Sequence, residues 1–262
     1  YISKPTIKIR SKSAIQIILL LSGDIELCPG PNINHHDNFE KLDSCRGLPF
    51  YHLNIRGLWN NLALLEYRLS QFKKPVIFSI SETHISEEPN DLYHFNGFSF
   101  ISIARSAGKG GGVAIYISEN IKWYRRYDLE KSEIECIWIE IIQKEAKNIL
   151  FCVLYRPPDS SKYLNRNFNL SFSQMLQPLF AMETILMGDI NVNFLATHEH
   201  SEIKDSLQSN GFKQLLKFPT RTNENTSTLI DIIATNKPSS ICATGIIPCS
   251  YSDHDFISCI RK

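Results

Sequence analysis

The chain has 262 residues, of which 43% are hydrophobic and 21% charged, and its formal net charge at pH 7 is +1. This length and balance fit one sizeable globular domain with room for a tail, and they exclude wholesale disorder. The small net charge gives no global sign of a polyanionic partner, so any nucleic-acid surface must be a local patch. The seven cysteines form no CxxC pair, and several stand inside apolar runs. That usage indicates free buried thiols and an intracellular location, nuclear or cytoplasmic.

Residues 1–46 are predicted to form a leader and linker, and residues 47–262 the main domain. The apolar run at residues 14–21 is too short to span a membrane, so no membrane association is expected. Residues 22–31, SGDIELCPGP, resemble the ribosome-skipping peptides of some viruses and retroelements. Cys28 stands where that family has Asn, which indicates a decayed or repurposed copy. Residues 32–46 are polar and are predicted to be a linker.

From residue 48 onward, strand-like apolar runs alternate with turns and a few helical stretches. Apolar residues at positions 62, 65, 69 and 72 recur at helical spacing, and residues 201–210 predict a second, shorter helix. The stretch before residue 185 is poorly patterned. Strands are predicted at residues 50–55, 75–80, 113–117, 135–142, 149–154, 185–191 and 227–235, and a last strand opens at residue 251. Strands dominate, which indicates an α/β sandwich with two sheets inside and helices outside.

The segment at residues 185–191, ILMGDIN, is the first candidate for chemistry. Asp189 and Asn191 follow a buried run two residues apart, and side chains alternate along an extended segment, so both can point the same way. An acid that can act as a base, beside an amide donor at the mouth of a sheet, suits a water attacking an anion. The same two residue types also favour ordinary turns, so the motif alone does not decide between the readings.

Three further strands finish in polar residues of the same chemical kind, at Asn54, Glu82 and Tyr155. Ligand sites gather at strand ends, because the sheet fixes the side chains while the loops stay open to substrate. Hard oxygen ligands, without a cysteine cluster or histidines at metal spacing, favour Mg²⁺ over zinc. For Glu82 the alternative is an exposed loop acid.

Asp231 and His254 form a second candidate group. Asp231 is flanked by apolar residues on both sides, so it is predicted to be partly buried and to need a partner. His254 is a natural partner, since a carboxylate that accepts from one imidazole nitrogen fixes the ring and favours its charged form. The alternative for His254 is a surface residue at the start of a strand.

Other polar clusters carry weaker signals. The glycines at residues 108–112 lack the phosphate-loop pattern and precede a strand, so a hairpin turn is predicted there. The histidines at residues 35–36 and 198–200 do not have metal-ligand spacing and are predicted to be solvated loop residues. Arg125 and Arg126 are predicted to lie on a solvated face.

Taken together, seven short motifs resemble the endonuclease/exonuclease/phosphatase superfamily, and above all the apurinic-endonuclease-type domain of non-LTR retrotransposons. In chain order they are LNIRG (53–57), SETH (81–84), GGGVA (110–114), YRPP (155–158), GDIN (188–191), LIDI (229–232) and SDH (252–254). The resemblance implies a four-layer α/β/β/α fold and hydrolysis of phosphodiester bonds that depends on Mg²⁺, with Mn²⁺ as the second candidate ion.

The resemblance also implies a role for each site residue. Glu82 would be the principal metal ligand, with Asn54 and Asp253 at the edge shared by metal and phosphate. The groups around the phosphate would be Asp189 on the attacking water, Asn191 and Tyr155 on the phosphate, and His254, held by Asp231, on the transition-state charge. Thr220 and Arg221 would lie in a loop that contacts DNA.

The expected function is therefore the nicking of target DNA to prime reverse transcription of a non-LTR retrotransposon. DNA is the expected substrate, and a reverse transcriptase domain in the parent polyprotein is the expected partner. Two alternatives stay open. The same fold could serve a phosphatase or phosphodiesterase that acts on a small molecule or lipid head group, or a catalytically silent nucleic-acid-binding module.

Overall fold

A computed structural model describes residues 39–86, 91–104, 110–158, 162–196 and 201–262. The chain divides into two compact units, residues 1–35 and 36–262. The first unit, with the Cys28-containing segment, lies outside the described residues. The predictions for His35, His36, for residues 198–200 and for Gly108 also fall outside them.

Short strands and two large sheets dominate the described part of the chain. The strands are Leu48–Asn54 (β1), Ile77–Ser81 (β2), Phe98–Ile103 (β3), Val113–Ser118 (β4), Trp123–Arg125 (β5), Glu135–Ile141 (β6), Ile149–Tyr155 (β7), Glu183–Asp189 (β8), Lys213–Gln214 (β9), Arg221–Thr222 (β10), Ser227–Thr228 (β11), Asp231–Thr235 (β12), Ile241–Ile247 (β13) and Phe256–Arg261 (β14). One six-stranded sheet has the order β13-β14-β1-β2-β4-β3, and the other has the order β5-β6-β7-β8-β12-β9. Strands β10 and β11 form a separate two-stranded ribbon.

Helices cover the outer face of each sheet. They are Phe39–Ser44 (α1), Leu58–Ser70 (α2), Lys162–Leu176 (α3) and Glu202–Ser209 (α4), with 3-10 turns at Asp91–Tyr93, Tyr127–Leu129, Gln177–Ala181 and Pro238–Ser240. The inner faces of the two sheets meet in one apolar layer, which includes Phe50 and Phe151. Leu65 of α2 packs on the outer face of the first sheet, and Phe172 of α3 packs on the outer face of the second. The predicted four-layer α/β/β/α sandwich is therefore confirmed.

The predicted linker at residues 32–46 is wrong from residue 39 onward. Phe39 and Leu42 are one helical turn apart, and Leu42 is only 2% exposed. The ring of Phe39 lies 5.4 Å from the ring of Tyr51 and 5.3 Å from that of Phe256. Two apolar residues on one face are enough to anchor a short helix, although the segment is polar on average.

Helix α3 occupies the stretch whose pattern was too poor to predict an element. Its buried residues Phe168, Phe172 and Leu176 recur every four positions, but asparagines and serines between them weaken the contrast. Strands β3 and β13 were also missed. The predicted strand at residues 227–235 is split into β11 and β12, and the last strand begins at Phe256 rather than at residue 251.

Arg125 and Arg126 do not form the solvated face that was predicted for them. The Arg125 Nε atom lies 2.8 Å from Glu130, and an Nη of Arg126 lies 2.5 Å from Glu140. Their side chains are only 17% and 20% exposed. The described cysteines are free thiols, as predicted, but only Cys136, Cys152 and Cys259 are buried. Within the described part of the chain, no helix combines the length and apolar content that a membrane crossing requires.

Strand direction brings the polar strand ends together. Strands β7 and β8 run parallel with Tyr155 opposite Asp189, and antiparallel β12 places Asp231 on the other side of Asp189. Strands β1 and β2 also run parallel, so Asn54 lies opposite Ser81, directly before Glu82. The glycine before Asp189 is needed for this approach, because a Cβ atom at position 188 would collide with the carbonyl oxygen of Leu154.

Candidate active site

Glu82 is the carboxylate that opens onto the cleft between the strand ends. Its Oε1 atom accepts hydrogen bonds from the amide of Asn54 at 2.9 Å and from the hydroxyl of Tyr155 at 3.1 Å. The Oε2 atom lies 3.6 Å from Nε2 of His84, which is itself 41% exposed. One oxygen of Glu82 is therefore fixed by neutral donors, while the other faces the more open side of the site.

Asp189 lies deeper and is almost completely buried, at 1% exposure. Its Oδ2 atom accepts a hydrogen bond from Asn54 Nδ2 at 2.8 Å, and its Oδ1 atom accepts one from the backbone N–H of Asn191 at 2.9 Å. The single amide nitrogen of Asn54 thus donates to both carboxylates, Glu82 and Asp189. This arrangement holds the two negative groups close to each other without direct contact.

Asp231 and His254 form a buried pair beside Asp189. The Nδ1 atom of His254 lies 2.9 Å from an Asp231 oxygen, and its Nε2 atom lies 3.9 Å from Asp189 Oδ2. The hydroxyl of Thr220 donates to the same Asp231 carboxylate at 2.6 Å. Asp231 therefore fixes the orientation of the ring, and Nε2 of His254 is turned toward Asp189 and the cleft.

The buried charges shift each other's pKa in opposite directions. Burial first, and then the negative charge of Asp231, raise the pKa of Asp189 from 3.8 to about 7. Burial alone would lower the pKa of His254, but the charge and hydrogen bond of Asp231 outweigh it and raise that pKa to about 9. Near neutral pH, the site therefore combines a carboxylate close to its titration point with a positively charged imidazolium.

Asp253 has two arginine side chains as neighbours. An Nη atom of Arg56 lies 2.8 Å from its Oδ1, and Arg221 Nε donates to its Oδ2 at 2.8 Å. Burial would raise the pKa of Asp253, but the two guanidinium groups hold it below the usual value of 3.8. With both oxygens facing arginines, Asp253 positions Arg56 and Arg221, and we do not assign it as a metal ligand.

His52 lies fully buried on β1, two residues before Asn54. The hydroxyl of Ser79 donates to the carbonyl of Tyr51, so it accepts from His52 Nδ1 at 3.1 Å. The other ring nitrogen, Nε2, then accepts from the hydroxyl of Ser81 at 3.3 Å. Burial lowers the pKa of His52 from 6.5 to about 4, so the imidazole is neutral near pH 7. Through Ser79 and Ser81 it links β1 to β2 next to the site.

Backbone strain is concentrated around the same strand ends. The non-glycine residues with positive φ in the described part of the chain are Arg56 at 48°, Glu82 at 52°, His84 at 55° and Asn191 at 48°. Each such residue costs about 1–3 kcal/mol and persists only where the surroundings impose it. The backbone of residues 82–84 is imposed by hydrogen bonds to Gly57, Leu58, Gly111 and Gly112.

The donor set fits one hard divalent cation at Glu82. Mg²⁺ binds to proteins through one or two carboxylates and keeps several waters or phosphate oxygens, which Glu82 and the neighbouring cleft allow. The cluster of Asp189, Asp231 and His254 also places its ligand atoms within 4.8 Å of one another. We do not assign a metal there, because Asp231 and His254 are already hydrogen-bonded to each other and the Thr220 hydroxyl donates to the same Asp231 oxygen.

Five of the predicted site residues line one cleft: Glu82, Tyr155, Asn191, Arg221 and His254. For Asn54, Asn191 and Thr220 the structure shows contacts that the sequence did not predict. Asn54 donates its amide nitrogen to two carboxylates, and its amide oxygen accepts from the backbone N–H of Arg56 at 3.2 Å. Asn191 lines the cleft, and one of its amide hydrogens is donated to the carbonyl of Arg156 at 2.8 Å. Thr220 is fully buried against Asp231, so its side chain cannot make the DNA contact that was expected.

Arg56 is a site residue that the sequence analysis missed. It lines the cleft, whose volume is about 360 Å³, together with Glu82, Tyr155, Asn191, Arg221 and His254. Its position two residues after Asn54, in the loop that leaves β1, was the available signal. His84 and Arg156 were read only as parts of motifs, although His84 lies beside Glu82 and Arg156 is buried under the Asn191 loop.

Sequence comparison supports the resemblance over the C-terminal half of the domain. Residues 149–258 match the sequence model of a family described as endonuclease-reverse transcriptase. No curated protein shows a significant sequence match to the chain. The matched segment contains Tyr155, Asp189, Asp231 and His254, whereas Asn54 and Glu82 lie before it.

Solved structures with the same fold cover most of the chain. The endonuclease domain of TRAS1, a telomere-specific non-LTR retrotransposon, superposes with a TM-score of 0.65 at 14% identity, over 82% of this chain and 98% of that one. An AP endonuclease from Archaeoglobus fulgidus gives 0.61 at 15% identity, over 82% and 99%. The catalytic domain of Xenopus laevis APE2 gives 0.62 at 15% identity, over 82% and 91%. The solved structures thus confirm the fold, and the family match over residues 149–258 supports the resemblance for that segment.

Proposed function

We propose that this chain, which has the fold of the apurinic-endonuclease-like nucleases, is a metal-dependent DNA endonuclease that nicks target DNA to prime reverse transcription of a non-LTR retrotransposon. The observation that carries the proposal is the convergence of Glu82, Asp189 and His254 at one cleft, where Asn54 donates to both carboxylates and Asp231 holds the imidazole. Function depends on such a site more than on the fold that carries it. The site contains a base, a cation and a candidate metal ligand, which phosphodiester hydrolysis requires.

Asp189 is the group that we assign to the attacking water. Its pKa of about 7 suits a general base near neutral pH, and Asn54 and the Asn191 N–H hold its oxygens in place. The water oxygen forms the new bond to phosphorus, and the water proton moves to the Asp189 carboxylate. The bond from phosphorus to the leaving ribose oxygen breaks in the same displacement.

His254 supplies the fixed positive charge for the phosphate. Its raised pKa, about 9, keeps the imidazolium protonated at neutral pH, and Nε2 is oriented by the Nδ1 contact with Asp231. A preorganised donor of this kind stabilises the extra negative charge of the transition state without reorganisation. Tyr155 and Asn191 line the same cleft; the Tyr155 hydroxyl donates to Glu82, and the amide hydrogen that Asn191 does not donate to Arg156 is the one for a phosphate oxygen.

A divalent cation is the remaining part of the proposal, with Glu82 as its protein ligand and Mg²⁺ or Mn²⁺ as the candidate ion. Bound there, such an ion would polarise a phosphate oxygen and neutralise developing charge. Tyr155 and Asn54 orient the Glu82 carboxylate through its Oε1 atom. Arg56 and Arg221 add positive charge along the cleft for the flanking phosphates.

The biological setting is proposed from the family description. A reverse transcriptase domain in the parent polyprotein would extend the nicked DNA end, and an enzyme that cuts chromosomal DNA would act in the nucleus. DNA is the proposed substrate because the cleft combines two arginines with a phosphate-binding constellation.

The test is nicking of supercoiled plasmid by the purified 262-residue chain in Mg²⁺, in Mn²⁺ and in EDTA. We expect conversion to open circles that requires a divalent ion and falls by about two orders of magnitude or more in Asp189→Asn. Inositol phosphate hydrolysis, assayed in parallel, distinguishes a small-molecule phosphatase. Plasmid binding without cleavage in any ion would refute the proposal in favour of a silent binding module.

A further inference from the structure

His84 is a residue beside the site that the proposed hydrolysis does not use. It follows Glu82 by two residues, and its side chain is 41% exposed. Its Nε2 atom lies 3.6 Å from Oε2 of Glu82. A side-chain hydrogen bond requires a shorter distance, about 3.2 Å or less, and an ion pair at this exposure contributes little to stability. The two atoms therefore approach each other without a direct bond that would account for their placement.

The contacts of Glu82 leave its Oε2 atom on the side of His84. The other oxygen, Oε1, accepts from the amide of Asn54 at 2.9 Å and from the hydroxyl of Tyr155 at 3.1 Å. These two donors fix the plane of the carboxylate. The oxygen that remains for a ligand is therefore the one next to the imidazole nitrogen.

The ring of His84 is flanked by two glycines. A Cβ atom at Gly57 would lie 3.4 Å from Nδ1, and a Cβ atom at Gly110 would lie 3.5 Å from Nε2. Both glycines have positive φ, 105° and 77°, which side chains rarely adopt. Gly110 and Glu82 both line the cleft, so the Nε2 edge of the ring reaches the cleft where a glycine leaves room.

Backbone hydrogen bonds hold both residues in place. The carbonyl of Glu82 accepts from the N–H of Gly57 at 2.8 Å, and the N–H of His84 donates to the carbonyl of Gly111 at 2.9 Å. Glu82 and His84 both have positive φ, 52° and 55°, which the surroundings must impose. The two side chains are thus presented from a fixed backbone, and only their rotation adjusts the distance between them.

The distance between Oε2 and Nε2 suits two ligands of one cation. Mg²⁺–oxygen and zinc–nitrogen bonds are both about 2.0–2.1 Å long, so neighbouring ligand atoms on one ion lie about 3–3.5 Å apart. A small rotation of the exposed His84 ring closes the difference from 3.6 Å. A neutral imidazole is a common metal ligand through Nε2.

We propose that His84 is a second protein ligand of the divalent cation, bound through Nε2 beside Oε2 of Glu82. This inference rests on the proposed function, since it concerns the cation for which Glu82 is the proposed ligand. It adds a metal preference. An imidazole nitrogen suits transition-metal ions, whereas Mg²⁺ is bound by oxygen, so the pair favours Mn²⁺ over Mg²⁺.

Pulsed electron paramagnetic resonance of the whole chain with Mn²⁺ alone detects the nitrogen directly. A coordinated imidazole couples its nitrogen nucleus to the electron spin of Mn²⁺ and modulates the spin echo. We expect this modulation in wild type and its loss in His84→Asn. Asparagine tolerates the positive φ of this position, so the variant removes the imidazole without adding backbone strain.

Metal affinity provides the second arm. The continuous-wave signal of unbound Mn²⁺ gives the dissociation constant, and Mg²⁺ is measured by competition. His84→Asn should weaken Mn²⁺ binding about tenfold or more, since loss of even an outer-shell partner costs about 10–100-fold, and should weaken Mg²⁺ binding less. His84→Asp is the matched variant, because it keeps a ligand but exchanges nitrogen for oxygen. It should shift the preference toward Mg²⁺ relative to wild type.

His254→Asn controls for the other group of candidate ligands, Asp189, Asp231 and His254. The nitrogen modulation should persist in this variant. Modulation that is lost in His254→Asn and kept in His84→Asn would place the ion at that group and overturn the inference. Equal Mn²⁺ affinities for wild type and His84→Asn would also overturn it.

The outcomes separate this inference from the proposed function. Glu82→Gln should bind Mn²⁺ more weakly than wild type, because it removes the proposed carboxylate ligand. Weaker binding in Glu82→Gln with unchanged binding and modulation in His84→Asn would reject His84 and retain the cation at Glu82. Plasmid nicking tests the endonuclease by itself, since metal binding is measured without DNA.

Discussion

The two ends of strand β8 hold a buried carboxylate each, and the two carboxylates behave in opposite ways. Asp189 at the C-terminal end has an amide, a backbone N–H and another acid around it, with the His254 imidazolium 3.9 Å away, and its pKa is raised to about 7. Glu183 at the N-terminal end receives two hydrogen bonds from Arg261, at 2.9 and 3.0 Å, and lies 3.5 Å from Lys237. Burial would raise the pKa of Glu183, but Arg261 outweighs it and holds the pKa below 4.5.

The comparison shows what distinguishes a structural acid from a reactive one on the same strand. Side-chain exposure is 3% for Glu183 and 1% for Asp189, so burial does not separate them. The partner does, because a directly bound cation stabilises the ionised form, whereas neutral donors and a neighbouring acid leave it easy to protonate. The following predictions test that difference.

The largest effect is expected for Asp189→Asn. Nicking should fall by about two orders of magnitude or more, because the amide cannot accept the water proton. In EDTA at pH 8 the same variant should melt higher than wild type, since burial and Asp231 disfavour the Asp189 charge more than His254, 3.9 Å away, favours it. Circular dichroism melts and plasmid nicking measure the two quantities. A variant that loses activity together with stability would contradict the assignment.

Glu183→Gln should show the reverse pattern. Loss of the buried partner of Arg261 is expected to lower the free energy of unfolding by about 3 kcal/mol. The melting temperature should drop by about 9 °C on that basis. Nicking at 25 °C should stay within about twofold of wild type, because Glu183 lies at the far end of the seven-residue strand from Asp189. A hundredfold loss of nicking in the folded variant would contradict the assignment of Glu183 as a purely structural acid.

The dependence of stability on pH should also have opposite signs at the two ends. The folded pKa of Glu183 is depressed, so its contribution is present above pH 4.5 and is lost as the pH falls through the folded value. The folded pKa of Asp189 is raised from 3.8 to about 7, so its ionisation opposes folding increasingly across that interval. In EDTA, the melting difference between Asp189→Asn and wild type should grow from pH 4 to pH 7 and then level off. A difference independent of pH would show that Asp189 is not held in this state.

The sequence predicted the role of the acid at one end of β8, Asp189, but gave no indication for the acid at the other end, Glu183. Asp189 stood out because it follows an apolar run within a short motif, and the superfamily resemblance supplied its proposed role. Glu183 carried no local signal, since its partner Arg261 lies 78 residues away in the chain. The fold was predictable from apolar periodicity, but α3 was not, because its four-residue spacing is diluted by polar residues.

The site itself was predicted as a set of residues rather than as a set of contacts. Each strand end could be identified locally, and the parallel pairs β1–β2 and β7–β8 then bring those ends together. The contacts depend on pairs distant in sequence, such as Asn54 with Asp189 and Arg56 with Asp253. For that reason Arg56 was missed, and Thr220 was expected at the surface rather than against Asp231.

The smallest effect is expected when one neutral donor is removed from each end. At the reactive end, Thr220→Val nearly preserves the side-chain volume but removes the hydroxyl that donates to Asp231 at 2.6 Å and accepts from the backbone N–H of Asp231 at 3.1 Å. Loss of a hydrogen bond to a charged group costs about 1.5 kcal/mol. If this cost appears as a poorer alignment of His254 in the transition state, the nicking rate should drop about tenfold. Thr220→Ser keeps the hydroxyl and should stay within about threefold of wild type.

At the other end, the hydroxyl of Ser240 donates to the carbonyl of Lys237 at 2.8 Å and helps to lower the pKa of Glu183, which keeps Arg261 as its main partner. Ser240→Ala should therefore lower the melting temperature by only a few degrees and leave nicking unchanged. Thr220→Val and Ser240→Ala are matched single-hydroxyl deletions beside the two ends of one strand, so the ratio of their nicking rates isolates the role of position. Equal nicking rates for the two variants would mean that the hydrogen bond from Thr220 to Asp231 does not orient His254 for catalysis. Asp231 would then have only a structural role, like Glu183.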